Sequence, residues 1–237
     1  MAELIMQSFG GKHNESIEET QKRLLKDGSW KRQRIVVILP ASNQMSTKVA
    51  LSHWNLMFPP NQAVVKIIAV GMEVGAAYSE AIQGILDHPE LSQWEYILTL
   101  EHDNMPPPDG VLKLLKRMEE HPEFDWISAL YYTKGDNGVA QIWGDPKDPV
   151  LNFRPQAPIP GQLMETNGTG MGFAIWRIKM FKDKKLRKPW FKTVADSTGI
   201  GTQDLYFAAD AKKYGYRCAV DCDILVGHYE ISTNTTW

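Results

Sequence analysis

The stretch YILTLEHDNMPPPD, residues 96–109, decides the fold of this 237-residue chain. An apolar run that favours β structure ends in two acids, Glu101 and Asp103, and three prolines then stop the strand. This order predicts that both acids lie at the carboxyl end of a buried strand, where open α/β sheets bind ligands. Because alternate residues of a strand point the same way, the two carboxylates can converge. Two hard oxygen ligands facing a cleft suit Mg²⁺ or Mn²⁺ carrying a phosphate.

Strands and helices alternate on both sides of this stretch. The pattern predicts strands over residues 34–39, 64–70, 96–100 and 124–131, with helices over 46–58, 74–86 and 109–120 between them. Residues 134–167 predict long loops, and they are followed by a strand over 168–176, a helix over 202–214 and extended chain over 217–226. The alternation predicts an α/β fold with a mostly parallel central sheet flanked by helices and an irregular second half.

Composition narrows the classes of function. Hydrophobic residues make up 43% of the chain and charged residues 23%, which is typical of a globular protein. The formal net charge of -2 gives no reason to expect nucleic-acid binding. No apolar run approaches the ~20 residues of a transmembrane anchor, and the start of the chain does not resemble a signal peptide. We expect a cytoplasmic protein in which Cys218 and Cys222 are reduced thiols.

Two later segments also place a side chain that can bind a metal or a proton at the terminus of a predicted helix or strand. The helix that begins GTQDLYF, residues 201–207, carries Asp204 in its first turn, and the last strand, DILVGH, ends at His228. Other recognisable segments are PPPDGVLKLL at 106–115, ALYY at 129–132, GTGMGFAIWR at 168–177 and KPWF at 188–191. In this order, the set resembles the GT-A class of nucleotide-sugar-dependent glycosyltransferases, especially family-2-like members of phage and prokaryotic genomes. The resemblance runs from about residue 34 to residue 229.

The resemblance implies a metal centre and a base. Asp103 is similar to the main metal-binding acid of the family's acid-x-acid motif, and Glu101 stands at the first position of that motif. His228 resembles the C-terminal histidine that completes the shell of Mn²⁺ or Mg²⁺. Asp204 resembles the acid that serves as catalytic base in inverting members. A helix N-terminus also favours the ionised form of Asp204, by ~0.3–1 kcal/mol.

The implied substrates are a nucleotide-diphosphate sugar of the UDP or GDP type and an acceptor that offers a hydroxyl. The residues expected to bind the nucleotide sugar are Pro40, Ser42, Glu73, Glu101 and His102. Those expected to contact the sugar or acceptor are Trp143, Gly170, Met171, Trp190 and Phe191. Aromatic rings can stack on the apolar C–H face of a sugar, but they also fill cores, and at this point both alternatives stay open.

On this interpretation, residues 34–237 form a single GT-A-like catalytic domain, with a nucleotide-binding half at 34–133 and an acceptor-side half at 134–237. Residues 1–33 are an N-terminal extension whose first dozen residues are expected to be loosely ordered. A short amphipathic helix is predicted between Ser16 and Gly28, because a capping-box pattern begins it and a glycine ends it. The helix could pack on a partner, so an oligomer is an open alternative.

One departure from the family pattern keeps other functions open. Relatives usually carry Glu-Asp where this chain has Gln203-Asp204, so Asp204 could instead be an N-terminal helix cap. A non-catalytic GT-A-like module that binds a nucleotide or sugar is therefore one alternative. A sugar-nucleotide nucleotidyltransferase is another, but that class usually has a glycine-rich basic loop after the first strand, and Pro40-Ala41-Ser42-Asn43-Gln44 is neither.

Overall fold

The computed structural model describes residues 3–8, 33–60, 62–196 and 199–237. Its strands are β1 (Glu3–Ser8), β2 (Ile35–Ala41), β3 (Val64–Val70), β4 (Tyr96–Leu100), β5 (Asn104–Met105), β6 (Trp126–Leu130), β7 (Ile142–Trp143), β8 (Leu163–Thr166), β9 (Gly168–Thr169), β10 (Phe173–Arg177), β11 (Val194–Asp196), β12 (Gly199–Gly201), β13 (Cys218–Leu225), β14 (Gly227–Glu230) and β15 (Thr235–Thr236). The helix predicted after Ser16 lies outside the described residues.

The helices are α1 (Thr47–Trp54), α2 (Val74–Asp87), α3 (Gly110–Glu120) and α4 (Gln203–Lys213). Short 3₁₀ turns at Leu91–Gln93 and Ile178–Lys182 complete the helical structure of the described ranges. Ser46 begins α1 as predicted, because its side chain accepts a hydrogen bond from the Lys48 backbone N–H. No helix in the described ranges combines the length and apolarity that crossing a membrane requires.

The central sheet of the described chain has eight strands in the order β1-β3-β2-β4-β10-β6-β13-β8. Strands β3, β2, β4, β6 and β13 run in one direction, while β1, β10 and β8 run against them. The predicted α/β fold with a mostly parallel sheet flanked by helices is confirmed. Both halves of the chain contribute strands, so residues far apart in sequence meet at one edge of the sheet.

Helices cover both faces of the sheet. Side chains of α2 and α4, including Tyr78 and Phe207, join the apolar cluster on one face, and Val111, Leu114 and Met118 of α3 join the cluster on the other. Strand β2 lies between these layers, which explains its continuous run of β-branched residues rather than an alternating pattern. Its buried residues end where the chain emerges at Ala41, and this carboxyl edge is where the candidate site lies.

An aromatic layer fixes the start of α4 against the sheet. Trp126 and Trp176 stack with ring centroids 5.0 Å apart, and Phe207 of α4 packs edge-on against both at 5.7 Å. Phe191 lies 4.7 Å from Phe207. Such aromatic contacts add about 0.5–1.5 kcal/mol each to the gain from burial. They place the first turn of α4 beside the end of β4.

Two features differ from the sequence predictions. Within the first dozen residues, which were predicted to be loose, Glu3–Ser8 forms a strand that pairs antiparallel with β3 and covers what would be an open edge of the sheet. The strand predicted over 168–176 is divided into β9 and β10. The division has a local cause, since the Tyr131 hydroxyl reaches this segment and accepts a hydrogen bond from the Gly172 backbone N–H at 2.9 Å.

Candidate active site

A pocket of about 380 Å³ opens at the carboxyl ends of β2, β3 and β4. This is the edge at which open α/β sheets bind ligands. The pocket is lined by Pro40, Ala41, Ser42, Gly71, Met72, Val74, Glu101, His102, Asp103 and Gln203. The structure therefore brings together four of the residues predicted to bind the nucleotide sugar, namely Pro40, Ser42, Glu101 and His102.

Glu73, the fifth of these predicted residues, has a different role in the structure. It begins α2, where its Oε2 accepts a hydrogen bond from the Ala76 backbone N–H at 2.9 Å. Its Oε1 accepts another from the Thr193 hydroxyl at 2.9 Å. Both carboxylate oxygens thus have protein partners, and Glu73 is not among the residues that line the pocket. Its capping role accounts for an acid at this position.

Asp103, which lines the pocket, meets His228, which is distant in sequence and lies beside the pocket without lining it. Strand β14 pairs with β5 so that His228 lies opposite Asn104. The Tyr229 backbone N–H donates to the Asp103 carbonyl at 2.7 Å, which fixes the two segments together. As a result, the His228 Nε2 lies 3.4 Å from the Asp103 Oδ2. The two predicted metal ligands are therefore close enough to share one ion.

The Asp103 carboxylate also contacts Lys134, whose Nζ lies 2.6 Å from the same Oδ2. Burial alone would raise the pKa of Asp103, but hydrogen bonds from His228 and Lys134, together with their positive charge, outweigh burial. The pKa of Asp103 is held well below its ordinary value. Asp103 is therefore ionised at neutral pH, as a metal ligand must be.

A backbone carbonyl orients the His228 ring. The Nδ1 atom lies 2.8 Å from the Tyr132 carbonyl oxygen, which can only accept a hydrogen bond. Nδ1 therefore carries the hydrogen, and in the neutral ring the lone pair is on Nε2, the atom that faces Asp103. Tyr131 supports the ring from the side, with an edge contact at 5.6 Å. Metal-binding histidines are commonly held in this way, with the second nitrogen bonded to a carbonyl.

These donors fit a divalent cation of the Mg²⁺ or Mn²⁺ type. When Nε2 carries no proton, its lone pair faces the Asp103 oxygen across 3.4 Å, and a cation between the two atoms would replace the hydrogen bond that protonated His228 donates there. Within the described ranges, no group of three or more His, Cys, Asp or Glu side chains is arranged to hold a metal. A hard cation bound through one or two protein ligands takes its other ligands from water and substrate phosphates. The site thus suits a cation that arrives with a phosphate.

Glu101 differs electrostatically from Asp103, although the two acids are one residue apart. Its pKa is raised to about 8, mainly by burial and further by the negative charges of Asp103 and Asp204. The Tyr78 hydroxyl donates to its Oε1 across 3.4 Å, which opposes this shift only in part. At neutral pH Glu101 mostly holds a proton. A protonated carboxyl suits a hydrogen bond to a sugar hydroxyl better than direct binding of a metal.

Asp204 is buried at the first turn of α4, behind the pocket wall. Its Oδ1 accepts hydrogen bonds from the Thr202 hydroxyl and, at 2.8 Å, from the Leu205 backbone N–H. Burial raises the pKa of Asp204, and these hydrogen bonds offset that rise only in part. The sequence predicted that the helix N-terminus would favour the ionised form, but burial has the larger effect. Its neighbour Gln203 lines the pocket, whereas Asp204 does not. The contacts describe an acid at a helix start, and its role as a base stays a prediction.

Four of the predicted sugar or acceptor contacts are inside the protein. Trp190 and Phe191 are 2% and 1% exposed and belong to the aromatic layer, and Met171 is 1% exposed in the same cluster. A side chain at Gly170 would collide with the Tyr131 hydroxyl, so this glycine permits close packing. These placements contradict the predicted contacts. Trp143 is half-buried, bonds Gln141 through its Nε1 at 2.9 Å and does not line the pocket.

The structure adds two residues that the sequence did not single out as ligands. Gln203 offers an amide to the pocket. Its position next to Asp204 in the sequence could have identified it as a pocket residue. The second residue is Lys134, which lines a different pocket of about 230 Å³. That pocket adjoins the first and shares Ser42, His102 and Asp103 with it. No motif marks Lys134, because it stands in a loop rich in glycine and polar residues whose partners depend on the tertiary fold.

Comparisons with known proteins address the fold. No protein-family model matches the sequence, and no curated protein matches it. The crystal structure of A197 from STIV is similar, with a TM-score of 0.59 and 16% identity, over 86% of this chain and 93% of that one. S. aureus TarS 1–349 gives a TM-score of 0.47 and 15% identity over 81% of this chain and 60% of that one. Its complex with UDP-GlcNAc gives 0.47 and 12% over 81% and 58%.

At such low identity, the likeness to A197 from STIV shows the fold alone. It extends over 86% of this chain and 93% of that one. The chain has a mixed α/β fold with a central sheet flanked by helices, consistent with the GT-A, Rossmann-like architecture.

Proposed function

We propose that this protein is a metal-dependent glycosyltransferase that moves a sugar from a nucleotide-diphosphate sugar to an acceptor hydroxyl. The observation that carries the proposal is the contact of His228 with Asp103, a residue of the pocket lining, with Nε2 and Oδ2 3.4 Å apart. The order of sequence segments that resembles GT-A glycosyltransferases supports it independently. We infer a donor of the UDP or GDP type.

In this proposal, Asp103 and His228 hold Mn²⁺ or Mg²⁺, together with oxygens of the donor diphosphate. Bound by these two residues, a divalent cation would supply positive charge to neutralise a departing diphosphate, a contribution of several kcal/mol in the transition state. The Tyr132 carbonyl keeps the His228 ring in the tautomer that binds a metal. Protonated Glu101 donates a hydrogen bond to the nucleotide sugar from the pocket wall. Pro40, Ser42 and His102 form the rest of that surface.

We propose Asp204 as the base of an inverting transfer. Asp204 is buried and does not line the described pocket, so the assignment rests on the resemblance of the GTQDLYF segment to the GT-A class. Burial raises the pKa of Asp204, and a carboxylate with a raised pKa accepts a proton more readily. General base catalysis typically contributes ~10²–10⁴-fold. Asp204→Asn should keep donor binding while lowering transfer by a factor in this range.

The test is release of nucleotide from UDP- and GDP-sugars with Mn²⁺, in the presence and absence of added hydroxyl acceptors. We expect release by the wild-type protein and loss of release in Asp103→Ala. Asp109→Ala is a matched control, because Asp109 is a partly exposed acid on the same segment that makes no side-chain capping bond, pairs with Lys113 at 2.8 Å and does not line the pocket. Release that persists in Asp103→Ala would contradict the proposal.

The same assay separates the alternatives. Binding of a nucleotide sugar with no release under any acceptor condition would indicate a non-catalytic module. Formation of a nucleotide sugar from a sugar phosphate and a nucleoside triphosphate would indicate a nucleotidyltransferase instead. In either case Asp103→Ala should still weaken binding that depends on Mn²⁺, so loss of the reaction and loss of the metal site can be told apart.

A further inference from the structure

Lys134 forms the shortest ion pair at the site. Its Nζ lies 2.6 Å from the Asp103 Oδ2 and 4.0 Å from the Glu230 Oε2. The side chain is half-buried, which makes an ion pair stronger than it would be on an open surface. Asp103 is therefore strongly bound to a cationic group of the protein itself.

Lys134 and His228 approach the same carboxylate oxygen. His228 Nε2 lies 3.4 Å from Asp103 Oδ2, and this oxygen also forms the ion pair with Lys134 Nζ. A divalent cation held between Asp103 and His228 would stand close to the ammonium group, and like charges at that separation repel strongly where little water screens them. The cation and the lysine therefore compete for Asp103.

One short segment controls both partners of Asp103. The Tyr132 carbonyl fixes the His228 ring, and Lys134 follows two residues later. The Thr133 backbone N–H donates to the Val139 carbonyl at 2.9 Å, and the Val139 N–H donates to the Thr133 hydroxyl at 2.9 Å. These bonds close the loop at its base and hold the backbone of Lys134 near Asp103. Only the flexible side chain has to move for the lysine to change partner.

A new partner for Lys134 is within reach. Lys134 lines the second pocket, which meets the first at Ser42, His102 and Asp103. A diphosphate that brings a cation to Asp103 lies at this junction, because it must share that cation. Its oxygens would offer the displaced ammonium several negative charges, whereas the alternative within the protein is the single carboxylate of Glu230 at 4.0 Å.

We propose that Lys134 is a tethered counter-ion of Asp103 that transfers to the diphosphate when a divalent cation binds. The inference rests on the proposed function, since it assumes that the ligand carries a diphosphate. The consequence is that binding of the cation and binding of the diphosphate are coupled. Alone, the cation binds weakly because it must displace Lys134 from Asp103. With the diphosphate it binds tightly, because the diphosphate provides a new partner for Lys134. By linkage, the cation strengthens diphosphate binding by the same factor.

The first test measures Mn²⁺ binding without nucleotide, from the loss of the electron paramagnetic resonance signal of free Mn²⁺. We expect Lys134→Met to bind Mn²⁺ more tightly than the wild type, by on the order of tenfold. Lys134→Arg keeps the charge and should bind like the wild type. Lys116→Met is the matched control for lost charge, because Lys116 is an exposed lysine paired with an acid on α3.

The second test repeats the titration with saturating UDP, and separately with GDP. In the wild type the nucleotide should tighten Mn²⁺ binding, and in Lys134→Met this tightening should be smaller by on the order of tenfold. If Lys134→Met and Lys116→Met bind Mn²⁺ alike in both titrations, the inference about Lys134 is overturned while the proposed metal site stands. If no variant binds Mn²⁺ even with nucleotide, the metal site of the proposed function fails and the inference fails with it.

Discussion

Glu101 offers a sharp test of the electrostatics at the site. Its carboxyl group is buried near Asp103 and Asp204. Burial, and then the negative charges of these two acids, raise the pKa of Glu101 from 4.5 to about 8. Glu101→Gln removes the ionisable group but keeps its size and the oxygen that accepts from Tyr78. Because the pKa of Glu101 is raised, the substitution should stabilise the protein at neutral and alkaline pH in the absence of metal and nucleotide.

The sign follows from linkage. A carboxyl with a raised pKa in the folded state binds its proton more tightly there than in the unfolded chain, so stability is lost as the pH rises from about 4.5 to about 8. At about 1.36 kcal/mol per pKa unit, the full cost above pH 8 is at most about 5 kcal/mol. Because Glu101 lines an open pocket, water reduces this cost, and we expect Glu101→Gln to gain about 2–4 kcal/mol at pH 8. At pH 5 the expected gain is below about 1 kcal/mol.

The assay is thermal unfolding from pH 5 to pH 9 in EDTA, with exposed Glu90→Gln as the matched control. For a chain of this size, about 2–4 °C in Tm corresponds to 1 kcal/mol, so Glu101→Gln should melt about 4–16 °C above the wild type at pH 8. The control should change stability by less than about 0.5 kcal/mol at any pH. Parallel melting curves of Glu101→Gln and wild type across this range would show that Glu101 is ionised normally, and the reasoning would be wrong.

Three further predictions concern the packing behind the site. Trp190→Ala should destabilise the fold by about 3–5 kcal/mol in denaturant unfolding, because the ring is buried. A variant that is as stable as the wild type but binds sugar more weakly would instead support the prediction that Trp190 contacts the sugar. Gly170→Ala should cost about 1–3 kcal/mol because it collides with the Tyr131 hydroxyl, while Gly84→Ala, in open space on α2, should stabilise by about 0.4–1 kcal/mol; equal effects in the two variants would refute the packing role. Burial raises the pKa of Cys218 to about 12, so mass spectrometry should find it unmodified by iodoacetamide at pH 8 until the protein is unfolded.

Local patterns in the sequence predicted most of the elements that build the site. The buried strand over 96–100 and the helix over 74–86 follow from apolar periodicity and from proline or capping signals, and the structure has them within one residue. The meeting of Asp103 and His228 follows less directly. It needed the resemblance, because their separation is set by the pairing of β14 with β5, which no local signal specifies.

The wrong predictions have a common physical cause. Trp190, Phe191 and Met171 lie within segments that resemble the family, and their predicted contacts with sugar or acceptor were wrong because the presence of aromatic residues cannot distinguish a core layer from a sugar platform. The role of Lys134 was missed for the converse reason. It lies in a polar loop, and its ion pair with Asp103 exists only because the fold brings residue 134 to the end of β4. In both cases the deciding contact is long-range.

The central claim is that Asp103 and His228 hold one divalent cation together with a diphosphate. Calorimetric titration of Mn²⁺ in the presence of UDP or GDP tests it directly, on the wild type, Asp103→Ala, His228→Ala and the exposed control His121→Ala. We predict that the control binds Mn²⁺ like the wild type, that His228→Ala binds it at least tenfold more weakly, as loss of a ligand requires, and that Asp103→Ala shows no measurable binding. Equal affinities in all four proteins would contradict the account.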